Sequence, residues 1–166
     1  QQDYNDAFVM LKLSGEDGAE RWRHKISVQS ASYPIHSTGE ILPDGIVFSD
    51  AGGNSPRLVK LSGSDGHETW RYGEASLSHP IKAMLLDESS NSIFSDGEVV
   101  AKVALLNGAE IWIAPRSAES LLREPSGDIL AVNFPHAALL STATGQQIGE
   151  FDFMPGSGSC SRFSMD

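Results

Sequence analysis

Five histidines, one cysteine and a few paired acids are the residues of this sequence best suited to chemistry, and their spacing decides which reactions are open to them. His24, His36, His67, His79 and His136 are scattered, with no H-x-H or H-E-x-x-H pair to bring two imidazoles onto one ion. The groups Glu16-Asp17 and Ser64-Asp65 sit in turn sequences. A calcium loop needs alternating oxygen ligands of the D-x-D-x-D-G kind, and Ser-Gly-x-Asp-Gly-x-Glu supplies too few. No G-x-S-x-G elbow presents a serine nucleophile, and no G-x-x-x-x-G-K-[ST] loop cradles a phosphate. Cys160 is the single cysteine, so an intrachain disulfide and a cysteine zinc set are both out of reach. In its Gly/Ser-rich surroundings, Gly156 to Cys160, it reads as a candidate intermolecular thiol. The expectation is therefore no catalytic, cofactor-binding or metal-ligating residues.

The elements that carry these residues are repeats. Lys12 to Trp22 reads KLSGEDGAERW and Lys60 to Trp70 reads KLSGSDGHETW, in the same register. A third copy, Lys102 to Trp112, reads KVALLNGAEIW. A fourth, Leu139 to Gly149, reads LLSTATGQQIG and has Gly149 where the tryptophan belongs. The turn glycines Gly18, Gly66, Gly108 and Gly145 are 48, 42 and 37 residues apart, a repeat the size of a four-stranded unit with variable loops. Each copy is an apolar, β-prone run ending in Asp-Gly, Asn-Gly or Thr-Gly, followed by a returning strand that carries a large aromatic in three of the four. Asp-Gly and Asn-Gly supply the positive φ that a tight hairpin needs. A second pair of strands precedes each later hairpin, at Glu40 to Ser49, Lys82 to Ser95 and Ser120 to Val132. No stretch has a helical period, so the fold class expected is all-β: about three and a half to four four-stranded antiparallel blades, in a ring left incomplete or completed by another chain.

These units resemble the PQQ-like β-propeller repeat, whose last two strands follow A-x-D-x-x-T-G-x-x-x-W. Gly18/Trp22, Gly66/Trp70 and Gly108/Trp112 match its Gly and Trp spacing. The resemblance implies that Trp22, Trp70 and Trp112 dock between neighbouring blades, on turns marked by Gly18, Gly66, Gly108 and Gly145. The family's Asp is replaced by Ser14, Ser62, Ala104 and Ser141, and its Thr by Asp17, Asp65 and Asn107, with Thr144 keeping it. The hairpins are also WD40-like in having four short strands per unit. The enzymes of this resemblance, the PQQ-dependent dehydrogenases, need a complete ring, a calcium-binding acidic set and often adjacent cysteines, none of which this sequence offers. The repeats are expected to occupy residues 1–153, with hairpins near 7–26, 57–72, 99–114 and 137–152, and a Gly/Ser-rich tail at 154–166. Closure by the tail, closure by a second chain, and a fragment of a longer propeller are all open.

Charge narrows the partners. Twelve Lys and Arg stand against 22 Asp and Glu, a formal net charge of −10 that repels a phosphate backbone, so nucleic acid is not expected. No apolar run is long enough to span a bilayer as a helix, so no membrane insertion is expected. A sequence that starts at Gln1 fits either a processed form or a cut fragment, and the resemblance points to an extracytoplasmic or secreted location. The function expected is a non-catalytic scaffold or protein-interaction module, with protein partners or self-association. The alternative is a propeller that binds or turns over a small ligand or carbohydrate in its central channel, near Glu40, Lys82 and Ser120.

Overall fold

A computed structural model describes residues 7–27, 38–50, 56–73 and 76–153. The chain divides into two compact units, Gln1–Ile81 and Lys82–Asp166. The structure is all-β. In the first unit, strands β1 (Ala7–Leu13) and β2 (Glu20–Ser27) form a two-stranded sheet. Strands β3 (Gly39–Leu42), β4 (Gly45–Asp50), β5 (Arg57–Ser62) and β6 (Glu68–Tyr72) form a four-stranded one in chain order. In the second unit, β7 (Ala83–Leu86), β8 (Ser92–Ser95), β9 (Val100–Val103) and β10 (Glu110–Ala114) make one four-stranded sheet. The other consists of β11 (Ser120–Arg123), β12 (Ile129–Asn133), β13 (His136–Leu140) and β14 (Gln147–Asp152). Every pairing is antiparallel, so each sheet is a meander of sequential hairpins.

Burial follows position in the meander. Middle strands are covered on both faces: every residue of β8 and β9 is buried, as are Leu58 to Leu61 of β5, with Ser92, Ser95, Lys60 and Lys102 buried among the apolar side chains. Phe48, Phe94, Leu58, Leu61, Ile93, Ile129 and Leu140 are among the largest side chains fully removed from water. The last strands alternate, most cleanly in β14, because one of their faces meets solvent. Within the second unit, Ile93, Val100, Trp112 and Ala114 pack with Ile129, Ala131, Ala138 and Leu140 in one cluster that joins its two sheets. In the first unit, Phe48, Val59 and Leu61 play that part, with Met10, Trp22 and Ile46 against them.

The repeated turn is longer than a two-residue hairpin. In all four copies the glycine N–H donates to the carbonyl four residues back: Gly18 to Ser14, Gly66 to Ser62, Gly108 to Ala104 and Gly145 to Ser141, at 2.8–3.0 Å. The glycines have φ of 70–72°, whereas Asp17, Asp65, Asn107 and Thr144 do not enter the left-handed region. A tight Asn-Gly or Asp-Gly turn needs two residues of positive φ; here one glycine suffices, and the residue before it works through its side chain. Asp17 Oδ1, Asn107 Oδ1 and Thr144 Oγ1 accept the N–H two residues on, at 3.1–3.3 Å. Each hairpin also carries a register shift beside the turn, the bulge that accompanies a left-handed turn residue.

Candidate functional site

The bulge sets which residues of the hairpin face each other across the strands. Beyond it, Lys12 pairs with Trp22, Lys60 with Trp70 and Lys102 with Trp112, placing an ammonium and an indole side by side on one face. In the first unit, Lys12 Nζ and Trp22 Nε1 both donate to the carbonyl oxygen of Gly63, in the turn of the next sheet, at 2.5 and 3.2 Å. In the second unit, Lys102 Nζ and Trp112 Nε1 both donate to the carbonyl oxygen of Thr142, at 2.9 and 3.0 Å. Gly63 and Thr142 occupy the same place in the repeat, one residue after Ser62 and Ser141. A carbonyl has two lone pairs, and each of these accepts two donors.

The indole rings lie on the turn glycines. A Cβ built on Gly66 would sit 2.6 Å from Trp22 Cδ2, and one on Gly145 would sit 2.6 Å from Trp112 Cε3. The same positions need positive φ, so the glycine serves the backbone and the aromatic contact at once. Gly18 has the same φ but nothing within 4 Å of the Cβ position. Trp70 is buried beside Lys60, and Gly108 closes the third turn.

The lysines also reach back into their own sheets. Lys60 Nζ pairs with Asp44 Oδ2 at 2.7 Å and Lys102 Nζ with Asp87 Oδ2 at 2.6 Å, each acid lying in the turn between the first two strands. Both lysine side chains are only 8% exposed, so they demand a counter-charge. Burial works to raise the pKa of Asp87, but hydrogen bonds from Lys102 and from the Asn91 backbone and side chain outweigh it, and the carboxyl lies below its ordinary 3.8. In the last sheet the paired residues are Leu139 and Gly149, so neither the ammonium nor the indole is present. Its turn acid Asp128 instead accepts the backbone N–H of Thr142 at 3.2 Å.

Sequence spacing marks the tryptophans and glycines but not the lysines, whose acceptors are a backbone carbonyl and a turn acid far along the chain. The signal available was a lysine at one register in three copies. The residues named for a central channel are divided between the two units. Lys82 is ion-paired with Glu119, Ser120 is exposed at the start of β11, and Glu40 lies in β3 of the other unit. His67 pairs with Asp65 at 2.5 Å and His136 with Asp152 at 2.6 Å, all four exposed. Among the described residues no group of three His, Cys, Asp or Glu is placed to hold a metal ion. Cys160, His36 and the tail 154–166 lie outside the described residues.

Exposed apolar side chains are the other surface feature. Val9, Leu11 and Leu13 of β1 are 43%, 49% and 56% exposed, and Ile41 of β3 is 85% exposed. Leu11 and Leu13 join Met10, Trp22, Ile41 and Ile46 around an apolar cleft of about 270 Å³. In the second unit Leu106, Ile111 and Ile113 are also exposed.

Three four-stranded meanders and a further hairpin, joined within each unit by a tryptophan laid on the next turn's glycine, define a β-propeller built of PQQ-like repeats. The chain belongs to the family of the outer membrane protein assembly factor BamB, whose family model matches residues 5–148. Among solved structures it is similar to BamB from Moraxella catarrhalis, with 18% identity and a TM-score of 0.59 over 81% of this chain. A protein of unknown function from Bacteroides caccae aligns at 16% identity over 82% of the chain, with a TM-score of 0.49. The chain spans 40% of the length of the Moraxella protein and 52% of the Bacteroides one. No curated protein matches the sequence at a significant level.

Proposed function

We propose that this chain is a non-catalytic scaffold, a set of propeller blades that binds protein partners outside the cytoplasm. The observation that carries the reading is its membership of a family described by an outer membrane protein assembly factor, a description that names work on other proteins and an extracytoplasmic place. The surface agrees with it. Large apolar side chains face solvent, Leu106 in a turn and Ile111 and Ile113 on β10 in one unit, and Leu11, Leu13 and Ile41 on strands in the other. Partners with basic patches suit a chain of net charge −10.

The test is photo-crosslinking in living cells, with a benzophenone amino acid in place of Leu106 or Ile113, combined with compartment fractionation. Protein adducts that depend on the position of the probe, in an extracytoplasmic fraction, are the expected result. Absence of protein adducts at every exposed position tested, with the chain folded, would sink the reading.

A further inference from the structure

The turn of the third repeat holds the only Asn-Gly pair in the sequence, Asn107-Gly108. Asparagine before glycine is the pair most open to spontaneous loss of the side-chain amide, because the next residue has no Cβ to hinder approach of its backbone nitrogen to the asparagine Cγ. Asn107 is exposed and Gly108 half-buried. Two hydrogen bonds act on the reacting atoms in opposite senses. Asn107 Oδ1 accepts the Ala109 N–H at 3.1 Å, which draws electron density from Cγ and makes it the better electrophile. The Gly108 N–H, whose nitrogen is the nucleophile, donates to the Ala104 carbonyl at 2.8 Å, and the Ala104 N–H donates to the Ala109 carbonyl at 2.8 Å. An amide nitrogen attacks only after it has lost its proton, and a proton held on a carbonyl inside a closed turn is out of reach of base. The second effect governs, since an activated carbon has nothing to react with until the turn opens.

The sibling turns show what each product does to the structure. Asp17 and Asp65 stand in the place of Asn107, and the glycines after them keep the same bond at 3.0 Å and a φ of 72°, against 2.8 Å and 70° for Gly108. An aspartate therefore fits this turn. An isoaspartate carries the main chain through its own Cβ and Cγ, lengthens the loop, and takes the Gly108 N–H out of register with the Ala104 carbonyl. The hairpin affected is the one whose Lys102 and Trp112 hold the Thr142 carbonyl of the last sheet.

We infer that Asn107 is a deamidation site gated by its own turn, with an isoaspartyl product that releases the hairpin bearing the Lys102–Trp112 joint. In the opened turn the Gly108 nitrogen gives its proton to base and attacks Asn107 Cγ. The new N–Cγ bond closes a succinimide ring, and the side-chain nitrogen takes up a proton and leaves as ammonia. Water then opens the ring, giving aspartate by attack at Cγ and isoaspartate by attack at the main-chain carbonyl. The site stands apart from the scaffold reading and needs no partner.

The test follows Asn107 in the full chain at mildly alkaline pH, folded and at urea concentrations below and above unfolding, beside a synthetic peptide copying Ala104–Ile111. Peptide mapping by mass spectrometry measures conversion, and hydrogen exchange measures protection of the Gly108 amide under the same conditions. The folded chain is expected to deamidate at least about tenfold more slowly than the peptide, by a factor that tracks the protection of Gly108, and to approach the peptide as urea opens the turn. Asn107→Asp is expected to unfold at the same urea midpoint as the unaltered chain. Chains carrying isoaspartate, separated by chromatography, are expected to exchange faster across Lys102 to Trp112.

A folded chain that deamidates as fast as the peptide while Gly108 stays protected overturns the gate. So does slow deamidation with an unprotected Gly108 amide, which would put the restraint elsewhere. Failure of the unfolded chain and the peptide to convert strikes out the site itself. An isoaspartyl chain with unchanged exchange, or an Asn107→Asp chain that loses the hairpin, overturns the structural consequence.

Discussion

At the scale of single residues, the junction glycines separate two contributions that usually arrive together. Gly18 and Gly145 have φ of 72° and 70°, yet only Gly145 lies under an indole. Gly18→Ala therefore meets the backbone term alone, about 1 kcal/mol, while Gly145→Ala also displaces the Trp112 ring and is expected to lose about 2–3 kcal/mol. Urea unfolding of the two variants measures the difference. Trp112→Phe keeps most of the packing but removes the donor to Thr142, for an expected loss of about 1–2 kcal/mol.

Asp87 carries the pH prediction. Its folded pKa is below 3.8, so its stabilising effect is complete above the unfolded value and is lost as pH falls through the lowered folded one. Below about pH 4 the protein should become progressively easier to unfold. Asp87→Asn should remove that part of the acid dependence and, by leaving Lys102 buried without its counter-charge, cost about 3 kcal/mol at neutral pH. Denaturant midpoints taken across pH for both proteins check this.

At the scale of strands and turns, much was legible in the sequence, and the exceptions have a common cause. The apolar runs and the Gly-x-x-x-Trp spacing place hairpins where β5–β6 and β9–β10 are found, because side-chain pattern alone sets them. Turn geometry was less legible: Asp-Gly suggests a two-residue turn, but the i to i+4 bond puts only the glycine at positive φ and leaves a bulge beside it. The lysines were legible as a repeated position but not in their role, since the acceptor of Lys12 and of Lys102 in the next sheet is a backbone carbonyl. Burial also orders the strands by stability. Amides of β8 and β9 should exchange with solvent most slowly in the second unit, and those of β11 and β14 fastest. Native-state hydrogen exchange resolved by mass spectrometry would show that order or refute it.

At the scale of the whole molecule, charge and family bear on how partners are met. With a net charge of −10, association with a basic protein partner should slow as salt rises from about 0.05 to about 0.5 M, over which screening shortens from beyond a side chain's reach to within it. Stopped-flow measurement with a partner identified by crosslinking would test it. A salt-independent rate would mean that apolar strips such as Ile111 and Ile113 govern the encounter instead.

The Lys–Trp junction also has a direction: donors on one sheet, acceptor carbonyl on the turn of the next. A joint of that head-to-tail kind closes into rings or runs on, molecule after molecule, as a filament. The sheet of β11 to β14 lacks the donors of this joint, because Leu139 and Gly149 stand where the lysine and tryptophan stand in the other hairpins. One aliphatic side chain and one absent side chain thus leave that face without this joint, and whatever packs on it must be held by other contacts.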